Sequence, residues 1–216
     1  MVINIILIAI SVSVVALDQA SKLLVYLTMD LNQKIDIIPG LFRLHFITNP
    51  GMSFSLFSAE NQRWVFMIIS PIALVAIAIY LFRFSKDKLT MKIGLAFIFA
   101  GGLSNMIDRT FYGDKIFHGE VIDMFDFYGI WNAIFNVADS FVCIGAALVV
   151  CTLLYEIAKE SKQKKVAAEE KASELNDKMS GGADITPTDD EIADIKITPI
   201  ASEPIKEKEE KAEEEQ

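Results

Sequence analysis

The sequence predicts an all-α membrane protein: four transmembrane helices, a small extracytoplasmic β-rich insert and a disordered acidic C-terminal tail. Three observations carry this. Hydrophobic residues make up 52% of the 216 and concentrate in four runs. The charges are segregated: residues 1–160 hold 11 Lys+Arg against 13 Asp+Glu, whereas residues 161–216 hold 9 against 16. Polar side chains recur at one end of three of the runs. An ordinary soluble domain does not fit this partition. Nucleic acid is excluded as a partner, because no Lys/Arg-rich face is present to neutralise phosphates. Cys143 and Cys151 share one apolar run; eight helical residues separate them by ~12 Å, beyond disulfide reach.

The runs come in order. Residues 2–17 are uncharged, and the stretch continues to Tyr26 past Asp18 and Lys22. It lacks the positive n-region of a signal peptide, so it reads as a retained span. Residues 64–82 are uncharged and apolar on every face, which favours lipid over a soluble core. Residues 93–107 form a shorter uncharged run, and about residues 133–155 form the fourth, interrupted only by Asp139. A bilayer needs ~20 residues per helix. Between runs one and two, residues 35–57 mix alternating and β-branched stretches cut by Pro39-Gly40 and Pro50-Gly51, which predicts short strands and turns. Arg83, Lys86, Lys88 and Lys92 lie between runs two and three, and Lys159, Lys162, Lys164 and Lys165 follow run four. That places both termini in the cytoplasm and residues 28–63 and 108–132 outside. Tyr26, Trp64, Tyr128 and Trp131 fall near the outer boundaries, as interfacial aromatics do. The expected organisation is a four-span domain over residues 1–160, with its β-rich insert at about 30–62. An acidic tail, 161–216, is helical at first and then disordered, because it lacks the apolar residues to offset chain entropy.

Ionisable groups inside membrane helices cost ~2.5–3.5 kcal/mol at the bilayer centre and are functional candidates by default. The predicted topology brings three polar sets to the outer leaflet: Asp18 and Lys22, spaced i,i+4; Asn105, Asp108 and Arg109, with Gly101, Asn105 and Arg109 on one helix face; and Asn136 with Asp139, spaced i,i+3. Asn49 lies on the same side. Asp123, Asp126 and Asp139 are surplus carboxylates, and Asp123 with Asp139 is the natural pair. Two close carboxylates split their pKa values, leaving one charged to activate water and one protonated to assist the leaving group. That is aspartic-type peptide hydrolysis. His45 and His118 have no metal-ligand spacing around them and read as surface or interface residues.

Five ordered motifs then resemble the lipoprotein signal peptidases (bacterial signal peptidase II) over about residues 10–155. They are Asp18-Gln-Ala-Ser-Lys22, Asn49-Pro-Gly-Met-Ser-Phe-Ser55, Gly101-Gly-Leu-Ser-Asn-Met-Ile-Asp-Arg109, Val121-Ile-Asp-Met-Phe-Asp-Phe127 and Phe135-Asn-Val-Ala-Asp139. The resemblance implies a polytopic aspartic endopeptidase of the bacterial inner (plasma) membrane. It would remove the signal peptide from diacylglyceryl-modified prolipoproteins, cutting just before the lipidated Cys. It implies Asp123 and Asp139 as the catalytic pair, and Asp18, Lys22, Asn49, Gly51, Asn105, Asp108, Arg109 and Asn136 as supporting or substrate-binding positions. Four helices with an outer β-cradle, contact with membrane lipid, no metal or organic cofactor, and inhibition by globomycin are implied with it. Two residues depart from the pattern: Ser104 stands where the family usually has Gly, and Pro50 where it usually has another residue. The tail lies outside the resemblance. A transport subunit would instead string polar groups across the bilayer, and a scaffold would depend on its tail.

Overall fold

The computed structural model describes residues 2–50, 59–83, 88–113 and 115–180. It is mostly helical with one small antiparallel sheet. In order come α1 (Val2–Thr28), β1 (Lys34–Ile38), β2 (Phe42–Asn49), α2 (Ala59–Arg83), α3 (Leu89–Phe111), β3 (Val121–Asp126), β4 (Ile134–Phe135) and α4 (Val137–Ser180). Among the described residues, three helical stretches are long and apolar enough to cross a membrane: Val2–Thr28, Leu89–Phe111 and Val137–Asp177. In α2 the apolar stretch Met67–Leu81 is shorter. Two compact units divide between Tyr155 and Glu156; in the second, the described residues are helical.

Helix α1 is inverted relative to a soluble one. On α1 the exposed positions are Ile3, Ile5, Ile6, Ile8, Val12 and Leu17, whereas Leu7, Val14, Asp18, Lys22 and Val25 form the buried stripe. Lipid solvates the apolar face, and the backbone satisfies its hydrogen bonds within the helix. Helix α3 presents two faces. Ala96, Ala100, Ser104 and Asp108 are buried at successive i,i+4 positions. Gly94 and Gly101, seven residues apart, meet α4: a Cβ on Gly101 would lie 2.5 Å from the Ala138 carbonyl oxygen, and one on Gly94 2.8 Å from that of Gly145. Small residues let the two backbones touch, the usual route to close helix packing in a membrane.

The sheet has the order β1-β2-β3-β4, all antiparallel. Gly40, with φ of 80°, makes the β1–β2 turn, a conformation cheap only for glycine. Val25 of α1 and Met29, just past its end, pack with Phe46, Ile122 and Met124, seating the sheet on the end of the first helix. The strands expected within 35–57 are β1 and β2; residues 51–58 lie outside the described residues. Two further strands, β3 and β4, come from the connection before α4, where the sequence predicts none. Helix α4 accordingly starts at Val137, because Phe135 is paired with Phe125 in the sheet. Tyr26 and Trp131 are exposed at 59% and 63%, Tyr128 is half-buried, and the side chain of Trp64 lies outside the described residues.

Candidate active site

The site forms where α1, β2, β3, α3 and the start of α4 converge. Its first part is a buried ion cluster. Lys22, fully buried, places its ammonium 2.7 Å from Asp18 Oδ2, 2.6 Å from Asp108 Oδ2 and 2.8 Å from Asn105 Oδ1. The ammonium donates a hydrogen bond to Asn105 and pairs its charge with both carboxylates. Such a cluster is costly to desolvate, and removing one member typically costs 3–5 kcal/mol because a bare charge is left behind. The i,i+4 spacing of Asp18 and Lys22 delivers the helical half of it; Asp108 arrives from α3.

The second part is the turn that opens α4. Asn136 precedes the first helical residue, and its Oδ1 accepts from the backbone N–H of Asp139 at 2.9 Å. Asp139 Oδ2 accepts in return from the N–H of Asn136 at 3.3 Å. This reciprocal pair is a capping box built from Asn and Asp, and it fixes the Asp139 side chain over the helix N-terminus. Ala138, between them, donates its N–H to Asp18 Oδ1 at 2.7 Å. Helix α1 thus caps helix α4.

The third part is β3, which presents Asp123. A β-bulge in β2 shifts the register between Leu44, opposite Phe125, and Ile47, opposite Asp123. Uninterrupted alternation would put Leu44 and Asn49 on opposite faces; the extra residue puts both on the face of Asp123. Asn49 Nδ2 consequently donates to Asp123 Oδ2 at 3.0 Å.

Carboxamides join the parts. Asn136 Nδ2 donates to Asp123 Oδ1 at 2.7 Å, and Asn105 Nδ2 to Asp139 Oδ1 at 2.8 Å. Asn136 Nδ2 also lies 3.3 Å from Asn105 Oδ1. One residue, Asn136, grips both carboxyl groups. Arg109 donates to the Asn105 carbonyl at 3.4 Å and lies within electrostatic reach of Asp123, Asp139 and Asp108. Asp123 is 2% exposed. Burial lifts its pKa to about 6, helped by the nearby Asp139 charge and opposed by the Asn49 and Asn136 hydrogen bonds.

Every expected site residue within the described residues falls in this network: Asp18, Lys22, Asn49, Asn105, Asp108, Arg109, Asp123, Asn136 and Asp139. Gly51 lies outside the described residues. Sequence reasoning missed Gln19, whose Nε2 donates to Asp108 Oδ1 at 2.7 Å and to Ser104 Oγ at 3.0 Å. Its i,i+3 relation to Lys22 was the available signal. His45 is not a free surface residue. Its Nδ1 lies 3.3 Å from Asp126 Oδ2, which also accepts from Arg43 Nε at 2.7 Å, and burial lowers its pKa. His118 is exposed.

Comparison with known proteins places this geometry. The family model described as signal peptidase (SPase) II matches residues 10–155. The lipoprotein signal peptidase of Geobacter metallireducens is 38% identical over 150 residues, 68% of this chain and 88% of the relative. That of Geobacter sulfurreducens is 41% identical over 144 residues, 65% and 86%. A bacterial membrane enzyme solved by the in meso method at 2.3 Å resolution superposes with a TM-score of 0.62 at 31% identity, covering 71% of this chain and 90% of that one. The chain belongs to the signal peptidase II family.

Proposed function

We propose that Asp123 and Asp139 are the catalytic pair with which this chain removes signal peptides from bacterial prolipoproteins. The observation that carries the assignment is the grip of Asn136 on both carboxyl groups, its side chain on Asp123 and its backbone N–H on Asp139. Two acids so held share a negative charge unwillingly, so one keeps a proton near neutral pH and the pair titrates as a unit. The ionised member takes a proton from water as it attacks the scissile carbonyl; the protonated member gives one to the departing amine. Carboxamides hold both acids without neutralising them, which leaves their basicity available. Lys22 polarises Asn105 and, through it, favours charge on the pair.

The wider reading has four spans, both termini cytoplasmic and the pair at the outer leaflet of the inner membrane. The Lys and Arg of the 83–92 connection and of residues 159–165 support that orientation. The substrate's signal helix then lies among the spans, its diacylglyceryl chains stay in the outer leaflet among membrane lipid, and the bond before the modified Cys meets the pair at the surface. Globomycin blocks the site. Residues 1–160 form the peptidase domain, and the acidic tail begins at 161 as a helix; the disorder expected beyond it falls on residues 181–216, outside the described residues.

The test uses the reconstituted protein with a diacylglyceryl-modified prolipoprotein and its unlipidated precursor. Only the lipidated form is cut, globomycin stops cleavage, and Asp123→Asn and Asp139→Asn each lower the rate by at least about 10²–10⁴-fold, the usual contribution of a positioned acid or base. Cleavage retained by either folded variant overturns the assignment.

A further inference from the structure

We infer that Ser104 is a positioning residue that acts on Asp139 through Asp18, an inference that rests on the catalytic pair proposed above. Ser104 is fully buried on α3, one residue before Asn105. Its hydroxyl donates to Asp18 Oδ2 at 2.7 Å and accepts from Gln19 Nε2 at 3.0 Å. Gln19 reaches on to Asp108 Oδ1. Asp18 Oδ2 therefore receives two donors, Lys22 and Ser104, from directions set by two different helices. Its other oxygen holds the N–H of Ala138, the residue before Asp139.

The two donors decide how the Asp18 carboxylate is oriented. An ammonium has three equivalent donors and a flexible stem, so Lys22 alone follows the carboxylate as it turns. A serine hydroxyl on a buried helix face has one hydrogen and one short bond to rotate, so it fixes the plane. With that plane fixed, Oδ1 meets the Ala138 N–H, and the capping turn of Asn136 and Asp139 is held at the depth where Asn105 and Asn136 reach both acids. Without the hydroxyl, Oδ2 keeps its ion pair but loses its orientation, and the first turn of α4 loosens at the catalytic residue. Hydrogen bonds to ionised groups are the stronger class, so the loss is felt. The hydroxyl is engaged at both ends, accepting from Gln19 and donating to Asp18.

The test compares Ser104→Ala, which deletes only the oxygen, with Ser104→Thr, which keeps it, in the full-length reconstituted protein. Active sites are counted by globomycin binding, so that a smaller folded fraction does not pass for slower chemistry. Ser104→Ala lowers kcat about tenfold, equivalent to about 1.4 kcal/mol, with KM for the lipidated substrate unchanged, and Ser104→Thr restores kcat. Hydrogen exchange read independently of turnover shows faster exchange at the Ala138 amide in Ser104→Ala than in wild type. Wild-type kcat together with wild-type exchange in Ser104→Ala overturns the inference, as does a change confined to KM. A wild-type protein that binds globomycin but cuts nothing, or an Asp139→Asn variant that still cuts, defeats the catalytic-pair reading instead, and the exchange rate at Ala138 then decides the role of Ser104 by itself.

Discussion

Asp123 is the acid whose surroundings are most informative. In the folded protein its pKa is about 6, against an ordinary 3.8, with burial as the main cause. Between roughly pH 4 and 6 the folded state then holds a proton that the unfolded chain has released. Stability rises as pH falls through 6 toward 4 and is lower above 6; the full effect is about 3 kcal/mol at ~1.36 kcal/mol per pH unit. Thermal unfolding of the wild type and Asp123→Asn from pH 4 to 7 checks this. The wild type loses stability relative to the variant as pH rises, and a difference independent of pH contradicts a buried titrating acid. Most polar members of the site were legible in the sequence, since Asp18 with Lys22 and Asn136 with Asp139 sit at helical spacings. Their bonding was not. Ser104 and Gln19 meet only across two helices, 85 residues apart in the chain, and no local pattern reports that. Nor does spacing show that Asn136 and Asp139 cap one another, since the same i,i+3 pair in mid-helix would be a surface contact.

At the scale of elements, hydropathy located the helices because lipid imposes a length and a polarity that soluble packing does not. The sheet was half legible. β1 and β2 lie between turn signals, but β3 holds two aspartates in six residues and reads as an acidic loop. Both acids are buried because tertiary partners, Asn49 with Asn136 for one and Arg43 for the other, meet them. β4 is two residues long, below any pattern, and the bulge in β2 leaves no mark in composition. The contact between α3 and α4 yields a graded prediction. Gly101→Ala pushes a methyl into the Ala138 carbonyl, beside Asp139; Gly94→Ala pushes one into the Gly145 carbonyl, seven residues further along α4. Both cost stability by about 1–3 kcal/mol, the usual price of overpacking. Only Gly101→Ala also lowers cleavage strongly, by about 10²-fold, as a misplacement near 1 Å does. Equal activity losses in the two variants, measured per folded molecule, contradict a local effect on the turn that holds Asp139.

For the molecule as a whole, the family match ends at residue 155, and the described site residues lie between Asp18 and Asp139. Truncation after Ser180 therefore leaves kcat and KM for a lipidated prolipoprotein unchanged; a folded truncated protein that no longer cuts gives the tail a part in catalysis. Sequence alone carried the family because the five motifs are ordered along the chain. It could not carry the arrangement of the site, which depends on bonds between distant segments. One of those bonds sets a schedule. Asp18 leaves the ribosome 120 residues before Ala138, whose amide it holds. Until the last helix inserts, the first has a carboxylate with nothing to cap, and Asp123 has no second acid beside it. On the proposed pairing, a half-inserted chain holds one acid of the two and has no peptidase activity. The two acids of that pairing meet only once the start of α4 has reached Asp18.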